Sequence, residues 1–112
     1  MKTQLREAFE EEMARAKALY RQQNWDQAFH HLERAHILGQ RFVIPHTRSH
    51  WWMLKVGWHR RDRQEVTGQV VRILASLVIS RIWVPLGNTG GANVSPVKPM
   101  PVPADLQALL DA

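Results

Sequence analysis

Six histidines stand in this chain of 112 residues, and five of them fall between positions 30 and 50. A neutral imidazole offers a nitrogen lone pair to a metal ion, and its ordinary pKa lies close to physiological pH. His30, Glu33 and His36 step by three. On a helix each neighbour therefore sits about 60° around the axis, with Glu33 between the two histidines. Glu33-Arg34-Ala35-His36 also has the Glu-x-x-His spacing by which helix bundles present two metal ligands. His46 and His50 are four apart, which puts two imidazoles on one helical face if the helix already includes His46. If Thr47 caps that helix, His46 lies just outside it. Antiparallel packing of the two segments brings Glu33 and His36 towards His46 and His50, with His30 as a spare ligand. Nitrogen and carboxylate donors without thiolate suit Zn, Ni, Cu(II) or Fe(II). The competing expectation is structural. In it His36 bonds to Glu33 or to a backbone carbonyl, His46 and His50 bond around a helix start, and His30 and His31 face solvent.

Other chemistries have thinner support. With no cysteine, the chain has no disulfide framework, thiolate zinc site, iron–sulfur cluster or cysteine nucleophile. None of its serines sits in a nucleophile-elbow pattern. Gly87-Asn88-Thr89-Gly90-Gly91 has the backbone freedom to cradle an anion but lacks the Gly-Lys-Ser/Thr ending of a nucleotide-binding loop, so its expected role is a turn. If the chain dimerises, two copies of Glu10, Glu11 or Glu12 with two Glu33/His36 pairs would supply a carboxylate-rich dinuclear metal centre, and with it an enzyme. The net charge of +5 is uneven: residues 34–103 carry ten basic side chains and two acidic ones. The charge is densest at His59-Arg60-Arg61-Asp62-Arg63, where Arg60, Arg61 and Arg63 are the candidate contacts for an acidic protein partner. No nucleic-acid fingerprint accompanies the charge, which argues against nucleic acid as a partner.

The elements that must position these groups are helices. From Thr3 to about Gln22, Leu5, Ala8, Phe9, Met13, Ala16, Leu19 and Tyr20 recur at spacings of three and four, with Thr3 as the expected cap. Asn24 and Gln27 form a capping-box spacing that opens a second helix, Trp25 to about Gly39, with Gly39 as its expected left-handed stop. A third helix is expected from about His46 to Arg60, with Trp51, Trp52 and Trp58 assigned to core packing. Asp62 and Glu65 open a fourth, to about Ile82, whose amphipathic face is Val66, Val70, Ile73, Leu74 and Leu77. Pro85 ends the helical region. Residues 85–103 hold five of the six prolines, which favours extended backbone, and Pro103 suits the first turn of a short last helix from Ala104 to Leu110.

The stretch Ala16-x2-Leu19-x5-Trp25-x2-Ala28-x3-Leu32-x2-Ala35 resembles a tetratricopeptide repeat. The second hairpin echoes it loosely, through Leu54-x2-Gly57 and Glu65-Val66. The proline expected after the second helix is absent, which points to a repeat-like four-helix unit and away from an array. A closer resemblance covers nearly the whole chain. The blocks His31 to Gln40 (HLERAHILGQ), His46 to Leu54 (HTRSHWWML) and Gly87 to Val94 (GNTGGANV) resemble those of a small bacterial family classed as a domain of unknown function. That resemblance implies a compact bacterial cytosolic protein and brings no activity with it.

The expectation is an all-α fold of two antiparallel helical hairpins, closed by a Pro/Gly-rich tail and a short terminal helix. It divides into a helical domain, 1–84, and a tail, 85–112, packing on it. The expected function is non-enzymatic binding or handling of a divalent transition metal by Glu33, His36, His46 and His50. The alternative is a metal-free interaction adaptor, with a protein partner or a homodimer as its target. The mean hydropathy of -0.35 argues against a membrane protein. The N-terminus lacks the apolar stretch of a signal peptide, so a cytoplasmic location is expected.

Overall fold

The computed structural model describes residues 1–79, 87–95 and 98–112, the side chains of residues 76, 78 and 79 excepted. The fold is all-α. Its elements are α1 (Thr3–Arg21), α2 (Trp25–Gly39), α3 (Val43–His59), α4 (Arg63–Ile79) and α5 (Ala104–Asp111). α1 packs on α2 and α3 on α4 as two hairpins, α2 packs on α3 between them, and α5 lies against α1 and α2.

The first hairpin follows the expected stripes. Leu5, Phe9, Met13 and Ala16 of α1 are buried against Ala28, Phe29, Leu32 and Ala35 of α2, and the small alanines let the axes approach. The turn closes through Gln23 in the left-handed region (φ 61), with the Asn24 amide donating to the Leu19 carbonyl at 2.9 Å. The expected caps differ in detail. α1 starts after Lys2 and α2 after Asn24, neither with a side-chain cap, so the Asn24/Gln27 box does not form. Gly39 is not a left-handed stop. It is the last helical residue, and a Cβ there would stand 2.8 Å from the Pro45 Cβ and 2.9 Å from the Phe9 ring. Space, not φ, is what requires glycine.

α3 begins three residues earlier than its expected start, at Val43. Pro45 does not delay it, because the first-turn amides have no intrahelical partner and proline's missing N–H costs nothing there. The first bonded amide is that of His46, donating to the Phe42 carbonyl at 2.9 Å. His46 and His50 are therefore both helical. At the next turn Arg61 is left-handed (φ 57), and the Glu65 amide donates to the Asp62 carboxylate at 3.0 Å, the capping contact expected there. The Glu65 carboxylate does not reach back. It accepts from the Ala92 amide at 2.5 Å instead.

The inner face of α4 departs furthest from the expected pattern. Glu65 and Gln69 are buried, while Val70, Val71, Leu74 (64% exposed) and Leu77 face outward. On α3, Met53 and Val56 are buried, but Trp51 and Trp58 (70% exposed) are not core residues. Trp52 is half-buried, within a cluster in which Tyr20 meets Trp25 and Trp52 edge-on and Trp25 stacks on His59 at 4.6 Å. The expected extension of α4 to Ile82, the helix end at Pro85 and the Pro96-Val97 stretch lie outside the described residues. Residues 87–95 run across α2 and α4, fastened by the buried Asn88. Its amide nitrogen donates to the Ser95 and Lys98 carbonyls, and its Oδ1 accepts from the Gly90 amide. No helix among the described residues is long and apolar enough to cross a membrane.

Candidate metal centre

Three of the predicted ligands meet. His36 projects from the buried C-terminal half of α2, and His46 and His50 from successive turns at the start of α3. The His46 Nε2 stands 3.0 Å from the Nε2 of His36 and 3.0 Å from the Nε2 of His50. Ring centroids lie 4.6–4.7 Å apart around the group. His36 is 3% exposed and His50 2%, and His46 is the most open of the three. Among the described residues this is the one group of histidine or acidic side chains able to bring three ligand atoms within 4.8 Å of one another.

The partners of the outer nitrogens fix where the lone pairs point. His36 Nδ1 lies 2.8 Å from the Asn88 carbonyl, which can only accept, so Nδ1 carries the proton. Gln69 Nε2 donates to the Gly90 carbonyl at 2.8 Å, which turns Gln69 Oε1 towards His50 Nδ1 at 2.6 Å. His50 Nδ1 is therefore also the protonated nitrogen. Burial, first among the causes for each ring, keeps the imidazoles neutral: His36 is held well below 6.5, His46 is lowered to about 4 and His50 to about 3. A neutral ring protonated at Nδ1 has its lone pair at Nε2. Both His36 and His50 thus aim lone pairs at His46 Nε2, and a single proton on that atom cannot give both contacts a full hydrogen bond. His46 Nδ1 is buried without a hydrogen-bond partner. The group is left short of protons on its inner side.

A metal cation at that point would accept the inward lone pairs in place of protons. Metal-bound histidines ordinarily donate their other N–H to a carbonyl or amide oxygen, as His36 and His50 do here. Four tetrahedral ligands at about 2.0–2.1 Å stand roughly 3.3–3.4 Å from one another. The observed 3.0 Å separations need to open only slightly.

The remaining predicted residues lie elsewhere. Glu33 is not in the group. It faces a cleft with Phe29, Arg60, Glu65 and Asn93, beside Thr89, where burial raises its pKa and that of Glu65. His30 is exposed, and His31 Nδ1 pairs with Glu12 at 2.9 Å. Glu12 also accepts from Arg34, Glu11 from Arg15 and Glu10 from Arg48, so the α1 carboxylates named for a dinuclear centre each pair with a basic side chain. Arg60 lies over the Phe29 ring and 3.6 Å from Asp26, while Arg61 and Arg63 are exposed.

Three supporting residues were missed. Gln69 carried a readable signal, since Glu65, Gln69 and Arg72 form a polar stripe at spacings of four and three along α4. Asn88 and Gly90 carried none beyond turn chemistry. Gly90 (φ +84) lies against His36, where a Cβ would come within 2.5 Å of the ring.

An all-helical protein with three clustered imidazoles, two of them buried, turned on one point is the class that fold and site define. The chain belongs to the family described as "Protein of unknown function (DUF3703)", which matches residues 3–110. No curated protein and no solved structure matches it.

Proposed function

We propose that this protein binds or handles a divalent transition metal, non-enzymatically, with His36, His46 and His50 as the ligands. The observation that carries the reading is the pair of 3.0 Å Nε2···Nε2 contacts in which two lone pairs are locked inward by Asn88 and Gln69. A purely structural network would give each buried nitrogen a complementary partner, because leaving one unpaired costs about 1–3 kcal/mol. Three neutral imidazoles without thiolate suit Zn, Ni, Cu(II) or Fe(II). Supporting the choice of ligands, Glu33 faces a different cleft, so the set is three nitrogens and no carboxylate.

Calorimetric titration of the metal-stripped protein with these ions tests the reading. We expect one ion per chain, and an affinity at least about 100-fold weaker in His36→Ala or His50→Ala, each of which removes a whole ligand. Binding that is absent in the parent protein, or unchanged in both variants, would overturn it.

A further inference from the structure

We infer that the outer face of the α3–α4 hairpin docks a second copy of this chain, so that two hairpins meet as a four-helix bundle. Two stripes define the face. Ile44, Thr47, Trp51, Leu54 and Trp58 follow one another along α3 at spacings of three and four, as do Val66, Val70, Ile73 and Leu77 along α4. This is the spacing by which helices pack side by side in coiled coils and bundles. Between the stripes run two grooves. One, of about 430 Å³, is bordered by Leu54, Trp58, Val66 and Val70, and the other, of about 310 Å³, by Ile44, Trp51, Ile73 and Leu77. Because α3 and α4 run antiparallel, the second groove continues the first along the hairpin.

Area and charge select the occupant. Ile44, Trp51, Trp58, Val70 and Leu77 are 45–71% exposed. With roughly 100 Å² for a whole aliphatic side chain and roughly 200 Å² for an indole, these side chains leave on the order of 400 Å² of apolar surface to water. A standard interface takes about 800 Å² from each partner, of which roughly 450 Å² is apolar, so the face matches what a stable dimer needs. No carboxylate borders either groove among the described residues, and the cations at their edges are answered within the chain. Arg48 pairs with Glu10, and Lys55 Nζ lies 4.0 Å from the Trp52 ring centroid. A charged partner would find no free complementary charge here. A second copy brings apolar stripes of the same spacing, and an isologous contact covers the face on both copies at once. Leu74 lies at the rim, about 60° around α4 from its stripe.

Sedimentation equilibrium of the full-length, metal-free protein tests this, with a mass of twice 13.0 kDa expected at about 100 μM. Trp58→Glu and Leu77→Lys should each raise the dimer dissociation constant by about 100-fold or more, because a symmetric contact loses each side chain twice. Leu74→Lys, at the rim, should change it by less than about threefold. Far-UV circular dichroism of each variant checks that the helices remain. A reading that needs no variant comes from hydroxyl-radical footprinting of the parent protein, in which Trp51 and Trp58 should lose reactivity as concentration rises. A monomer throughout overturns the inference, and so does a dimer in which both indoles stay reactive or whose affinity is unchanged in Trp58→Glu and Leu77→Lys. None of these outcomes depends on whether an ion binds at the triad.

Discussion

At the scale of single residues, the histidine spacings pointed to the right neighbourhood, because two imidazoles four apart on a helix must share a face. They did not tell which of Glu33 and His36 would join them. The two lie about 60° apart on α2, and residues 88–90 settle the matter: the Asn88 carbonyl accepts a hydrogen bond from His36 Nδ1–H while Thr89 lies beside Glu33. That contact spans 52 positions, and no local pattern encodes it. Two predictions belong here. Gly90→Ala forces a Cβ into the His36 ring at a left-handed φ, and should destabilise the metal-free protein by about 1–3 kcal/mol in urea unfolding and weaken metal binding with it. The second concerns acid. The three imidazoles are neutral when folded and regain their ordinary pKa of 6.5 when unfolded, so between about 6.5 and their folded values the unfolded chain binds more protons. The stability they contribute is full above pH 6.5 and is lost as pH falls, by up to about 1.4 kcal/mol per pH unit for each ring. Glu33 and Glu65, whose pKa values are raised chiefly by burial, act in the opposite sense above the ordinary carboxylate value of 4.5, but they are two groups against three. Urea midpoints of the metal-free protein at pH 7, 6 and 5 should therefore fall steadily, and a flat profile would contradict neutral buried rings.

At the scale of elements, α1 and α2 were legible because the apolar stripe of each faces chiefly the other, and the alanines between the large residues set their approach. α4 was not. Its apolar residues outnumber its polar ones, and hydrophobic periodicity assigns the core to the wrong side. The buried side is the one carrying Glu65 and Gln69, because those side chains have specific partners there: the Ala92 amide, the Gly90 carbonyl and His50. A buried polar group with partners is stable, and the same group replaced by an apolar one leaves those partners unsatisfied. Gln69→Leu, which makes the inner face more hydrophobic, should thus destabilise the protein by about 1–3 kcal/mol, since His50 Nδ1 and the Gly90 carbonyl lose their partner. Leu74→Lys, which removes an apolar side chain from the outer face, should stay within about 0.5 kcal/mol. Thermal or urea unfolding of the two variants side by side checks the order, and the reverse order would mean that α4 is turned the other way. The start of α3 shows a smaller effect of the same kind. Pro45 reads as a boundary, yet it sits inside the first turn and lets His46 into the helix.

At the scale of the whole molecule, the two hairpins and the 87–95 segment act as one clamp. α2 brings one imidazole, α3 brings two, and α4 and the segment hold the Nδ1 atoms of His36 and His50 so that their lone pairs face inward. A chain of 112 residues has no disulfides to add to its packing and hydrogen bonds, and an ion bound by the folded state alone adds its binding free energy to folding. The measurement that bears most directly on this account is X-ray absorption at the metal edge of the zinc-loaded protein. The account predicts a single ion per chain with three imidazole nitrogens at about 2.0–2.1 Å and one further light ligand. A carboxylate-rich or six-coordinate shell, or a spectrum unchanged when His36 and His50 are replaced by alanine, would contradict it.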